Sequence, residues 1–175
     1  MSFIKKTALV FLLLFASILF VSCRENTKSP EKALDNFSQQ ISEGKTNGMS
    51  LTIYYKNPEI LTPYPLDVCE LIRLNDFKIV VKDKELKNYI NVLSQINSKV
   101  IIPVETDEKM SYVEARIYYI FKDRFGRKMF DVVMWSGQGN IFVNGIEVEE
   151  CRLFYDVIIP FLPEDIADVL EALKP

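Results

Sequence analysis

Beyond its first thirty residues the chain switches between two hydrophobic periods, and each switch marks an element. Leu34, Phe37 and Ile41 recur at helical spacing, behind the start signal Ser29-Pro30-Glu31 and ahead of Gly44, a residue suited to stop a helix. This predicts a helix over 30–43. Asn47-Gly48 marks a turn. Met49, Leu51, Ile53 and Tyr55 then alternate with Ser50, Thr52 and Tyr54, as in a half-buried strand that Asn57-Pro58 ends. Thr62-Pro63-Tyr64-Pro65 is a rigid extended segment, and its tyrosine offers one candidate surface. Asp67 is placed to cap a short helix through Arg73. A strand is expected over 76–81. Behind Asp83, Leu86, Tyr89, Ile90, Leu93 and Ile96 form the single apolar stripe of a helix.

From 100 to 148 the pattern is β. Residues 100–104 read as a strand that Pro103 confines to an edge or a strand end, and 105–109 as a polar loop. Val113, Ala115, Ile117, Tyr119 and Phe121 face one way; Glu114, Arg116, Tyr118, Ile120 and Lys122 face the other. After a turn over 123–126, Phe130, Val132 and Met134 continue the inner face. Met129, Asp131, Val133 and Trp135 continue the outer one. A second turn over 136–140 precedes short strands at 141–143 and 146–148. These flank Asn144-Gly145, a pair that favours a type I′ hairpin turn. The C-terminus is helical, with Leu153, Phe154, Val157, Ile158 and Phe161 on one side, Pro160 as a break, and a new start at Pro163. Strands and helices segregate. The expectation is an α+β fold, an antiparallel β-meander sheet with helices packed mainly on one face.

The first 23 residues follow another logic. Lys5 and Lys6 precede an uncharged apolar run over 8–21, shorter than the roughly 20 residues a spanning helix needs. That is the make-up of an export leader. The leader closes on Phe20-Val21-Ser22-Cys23, which resembles the lipobox of bacterial lipoproteins, a small residue before an obligatory cysteine. Phe20 departs from the usual aliphatic residue at its position. The resemblance implies removal of 1–22, lipid attachment at Cys23, a tether over 23–29 and one domain over 30–175. It places the chain at the cell membrane or outer membrane, outside the cytoplasm. Behind the leader the chain resembles small, uncharacterised single-domain lipoproteins of bacteria, which share only the leader.

Removing the leader and its two lysines takes the formal charge from −3 to −5. No basic face is evident, which argues against a nucleic-acid partner. The chain has no histidine, so serine–histidine and cysteine–histidine nucleophiles and histidine-based zinc sites are excluded. No cofactor or metal motif is present. Cys69 and Cys151 leave two readings open, a disulfide or two free core thiols. A bridge over that separation adds about 4 kcal/mol in the chain-entropy model. Gly137-Gln138-Gly139 lacks the third glycine and the Lys-Ser/Thr of a phosphate loop and reads as a turn.

The remaining candidate is the outer face of the meander. Tyr118, Ile120, Met129, Val133 and Trp135 gather apolar groups where alternation predicts polar ones. Exposed, they form a binding patch for an envelope protein or a glycan. The alternative is that a helix, 30–43 in the first instance, covers them. The functional expectation is a membrane-anchored, non-catalytic binding or accessory domain. The alternatives are an inhibitor or immunity protein against an envelope-acting toxin, and a carboxylate-dependent glycan hydrolase. Metabolic labelling with palmitate tests the anchor. The label enters the wild-type chain and is absent from Cys23→Ala, and equal labelling of both overturns the lipobox reading.

Overall fold

The computed structural model describes residues 29–104, 114–134 and 140–175. The lipobox with Cys23, the loop over 105–109, Val113, Trp135 and the glycines at 137 and 139 lie outside them. Helix α1, Pro30–Ser42, starts where the Ser29 hydroxyl accepts from the Lys32 amide at 3.4 Å, with Pro30 in the first turn. It ends in a Schellman motif around Gly44 at φ +68°, where the amides of Gly44 and Lys45 donate to the carbonyls of Ile41 and Gln40.

Strand β1, Ser50–Tyr55, follows, then α2, Val68–Leu74, closed at its start by a reciprocal capping box between Asp67 and Glu70. Strand β2, Phe77–Lys82, pairs antiparallel with β1. The helix expected behind Asp83 is broken in three, α3 at Asp83–Leu86, a 3₁₀ turn at Lys87–Tyr89 and α4 at Ile90–Leu93. Tyr89 leaves helical geometry, at φ −118° and ψ 19°, and packs its ring edge-on against Phe161, with centroids 4.7 Å apart. The stripe is still buried through Leu86, Leu93 and Ile96. Tertiary packing outweighs the weak helix propensity of Asn88, Asn91 and the β-branched Ile90 and Val92.

The meander consists of β3 at Ile117–Lys122, β4 at Lys128–Met134, β5 at Ile141–Val143 and β6 at Ile146–Val148. Asn144 and Gly145 join the last two at φ 50° and 79°, the positive angles of a type I′ turn. Residues 100–104 are not a strand. After a 3₁₀ turn at Ser98–Val100 they make a single bridge, Pro103 to Val148. Proline has no amide to extend a ladder, so this segment only lines the edge of β6. Helix α5 at Leu153–Asp156, a 3₁₀ turn at Ile159–Phe161 and α6 at Glu164–Leu173 complete the chain.

Among the described residues the sheet has six antiparallel strands in the order β2-β1-β3-β4-β5-β6. The fold is α+β. The meander is extended past β3 by β1 and β2, and most helices lie on one face. There, Leu34, Phe37 and Ile41 of α1 join Phe121, Phe130 and Val132 in the main core, with Phe154, Ile166 and Leu170 from the C-terminal elements. Phe37 is the keystone, its ring centroid 4.7 Å from Phe121 and 4.9 Å from Phe130.

The opposite face departs from expectation. Helix α2, not α1, covers it, and Leu71 closes a second cluster with Ala115, Tyr118 and Val133. Ala115 precedes β3 and belongs to this cluster rather than to the inner face. Arg116 is buried, paired with Glu114 and 3.4 Å from the Thr62 hydroxyl, so it ties the proline-rich segment to the sheet. Among the described residues no helix is long and apolar enough to cross a membrane. Truncating the keystone tests its role. Phe37→Ala lowers the unfolding free energy by about 3–5 kcal/mol in urea titration, and a loss below 1 kcal/mol would show that α1 is held elsewhere.

Candidate functional site

Where α1 crosses the β3–β4 hairpin, the seam opens into a groove of about 880 Å³. One wall is a single face of α1, with Ala33, Asn36 and Gln40 at helical spacing. The other is the hairpin from Asp123 to Met129, and Lys45, Asn47 and Met49 close one end. Two local features shape it. The register pairs Phe121 with Phe130 and Lys122 with Lys128, so Met129 is the extra residue of a β-bulge. A bulge re-aims its side chain, and Met129 packs against the main core instead of facing outward. The second feature is Gly48. At φ +74°, a Cβ there would meet the Arg124 Cβ at 2.6 Å, so only glycine lets the hairpin tip seat on the 47–48 turn.

The tip is organised by Asp123. One carboxylate oxygen accepts the amides of Phe125 at 2.8 Å and Arg127 at 3.0 Å. The other accepts Arg127 Nε at 2.8 Å and pairs with Nη2 at 2.7 Å. Desolvation pushes the Asp123 pKa up, but these hydrogen bonds and the guanidinium charge outweigh it, and the net shift is downward. Phe125, 65% exposed, stands at the tip. The guanidinium carbons of Arg124 and Arg127 lie 4.6 and 4.9 Å from its ring centroid, within cation–π range.

The groove is therefore cationic. Among the described residues Lys45, Arg124, Arg127 and Lys128 line it against one carboxylate, Asp123. Lys45 is paired with Glu43 at 2.5 Å and Lys128 with Asp131 at 3.1 Å. Among the described residues Arg124 has no carboxylate partner. Beside Lys45, Thr46 is buried with its hydroxyl unpartnered. Such an arrangement can hold an anion by charge and by guanidinium hydrogen bonds. A lone, ion-paired carboxylate does not supply the two opposed acids of glycoside hydrolysis.

The outer-face candidates are dispersed. Tyr118 and Val133 are buried beneath α2, Ile120 is half-buried beside them and Met129 lies across the sheet in the groove. Trp135 lies outside the described residues. The four described members share no exposed patch, because α2 covers two of them and the bulge inverts a third. Tyr64 remains exposed, as does the neighbouring Leu61. Cys69 is exposed on α2, whereas Cys151 packs half-buried against the main core on the other side of the sheet. Both are free, and the sheet between them forbids the bridge that spacing allowed. Among the described residues no cluster of three or more acidic or cysteine side chains is placed to hold a metal ion.

Sequence reasoning missed the groove, although Arg124-Phe125-Gly126-Arg127-Lys128 carries three cations and an aromatic in one turn. Its signal was local charge against an acidic background. Comparison with protein-family models, with curated proteins and with solved structures finds no match.

The downward shift of Asp123 has a consequence with a defined sign. A carboxylate held below its unfolded value of about 3.9 stabilises the fold above that value and loses the contribution as pH falls through the folded pKa. Wild type is therefore more stable than Asp123→Asn at pH 6, and the gap narrows from about pH 4 downward. A gap unchanged between pH 6 and pH 2 in urea titrations would remove the ionic role.

Proposed function

We propose that the chain is a membrane-tethered, non-catalytic binding domain of a bacterial cell envelope that takes an anionic group into the groove between α1 and the β3–β4 hairpin. The observation that carries this reading is the charge of the groove. Among the described residues four cations line the groove against Asp123 within and Glu43 and Asp131 beside it, a net positive charge on a chain whose overall charge is −3. The volume lies within the range of pockets that hold small ligands. Among the described residues Arg124 has no carboxylate partner and only the ring of Phe125 beside it, so a bound anion would gain a charge interaction without breaking an ion pair. The sign of the groove suits an anionic ligand better than the basic toxin that an inhibitor role requires. Tethering rests on the lipobox resemblance at Cys23.

Tripolyphosphate is a suitable probe. Added to the protein at low salt, it shifts the NMR resonances of Lys45, Asn47 and Arg124 to Lys128. The shifts are absent in Arg124→Gln/Arg127→Gln and fade at high salt, where the charges are screened. Uniform small shifts across the whole surface, or shifts retained in the double variant, would overturn the groove as the site.

A further inference from the structure

We propose that the β3–β4 hairpin tip is a second membrane contact, seating the phosphate headgroups of an anionic bilayer against Arg124, Arg127 and the cationic groove behind them. This rests on the reading that the groove takes an anion and names the carrier of that anion. Three observations favour a bilayer over a soluble ligand. The first is Phe125, 65% exposed at the apex of the tip and set between two guanidiniums. An aromatic ring presented with arginines suits the headgroup boundary, where the ring meets acyl chains and the cations meet phosphates. A small soluble anion has no use for that ring.

The second is reach. Helix α1 separates the tether from the tip, and its 13 residues rise about 20 Å. The six residues over 24–29 span at most about 20 Å of contour. With α1 lying along the surface, an anchor at Cys23 and the tip can meet one plane. The third is the charge distribution. The acidic chain would be repelled by an anionic surface as a whole, but that repulsion is screened beyond about 8 Å at physiological salt. Only charges near the tip act, and there the cations prevail. Glu43, Asp123 and Asp131 pair with Lys45, Arg127 and Lys128, which leaves Arg124 as the excess positive charge among the described residues there. The contact would hold the domain in one orientation on its membrane, with the face that bears α2 turned away.

Vesicle co-sedimentation of the chain from residue 24 onward, without leader or acyl groups, tests the contact independently of the anchor. That chain holds every core residue described above, and a cooperative thermal melt verifies its fold first. Binding is expected to vesicles with 30% phosphatidylglycerol and not to pure phosphatidylcholine, and to fall sharply at 0.5 M salt. Each cation near an anionic surface contributes about a fivefold factor, so Arg124→Gln lowers the partition constant about fivefold and Arg124→Gln/Arg127→Gln about thirtyfold. Phe125→Ser gives a further loss. Equal binding to both vesicle types, or wild-type binding by the double variant, would overturn the proposal. Tripolyphosphate shifts in the groove without vesicle binding would also overturn it while leaving the anion-binding reading intact. Absence of both effects would remove the two together.

Discussion

The contact of Phe37 with Phe121 and Phe130 fixes the geometry on which the groove depends. Three rings, each fully buried, lock a helix across the two central strands of the sheet, β3 and β4. Aromatic groups of this size bury large areas and prefer the tilted and edge-on contacts seen here. Once Phe37 is seated, the face of α1 one turn around, Ala33, Asn36 and Gln40, stands opposite the hairpin. The Schellman stop at Gly44 then sends the chain back beneath the tip, where Gly48 lets Arg124 approach. A helix seated differently on the same sheet would leave the hairpin cations on an open surface with no opposing wall.

Charge is distributed unevenly over this frame. Most acidic side chains sit at helix starts and in loops, where they cap amides or remain solvated. Cations gather at the tip, where their mutual repulsion is limited by Asp123, by the π face of Phe125 and by water. Arg116 illustrates the contrast. Buried at the other end of the strands, it is spent on Glu114 and on Thr62, and its role is to fix a loop. Burying a guanidinium is costly unless it is paired, so an arginine meant for a ligand belongs where Arg124 lies, exposed and outside any ion pair among the described residues.

Local signals were legible in the chain because each is satisfied within a few residues. Gly44 stops α1, Asp67 and Glu70 cap α2, and Asn144-Gly145 turns the last hairpin, all by backbone geometry that needs no distant partner. The alternation in β1 and β3 likewise identified the inner face, since a strand buried on one side must repeat every second residue. The α+β class followed from these. Period alone, however, says which positions are apolar and not what covers them. The apolar outer face was visible, but its cover, α2, holds by the single buried residue Leu71 and leaves little periodic trace. The stripe from Leu86 to Ile96 was read correctly as buried, yet its helix is broken, because packing of Tyr89 against Phe161 outweighs local propensity.

The groove was the least legible feature, and for a physical reason. It joins Asn36 to Met129 and Gly48 to Arg124, pairs far apart in sequence that only the seating of α1 brings together. One extra residue in β4 moves Met129 from the face that alternation assigned to the opposite one, and a bulge has no reliable composition signature. The placement of Cys69 and Cys151 on opposite sides of the sheet is of the same kind. The sequence by itself determined the six strands of the sheet (though it also read one at 100–104), most turns, the two capped helices and most of the apolar inner face, because these depend on short-range sterics and hydrogen bonding. The tertiary structure alone decided which helix covers which face and where the cations converge, because those depend on how whole elements exclude water from one another.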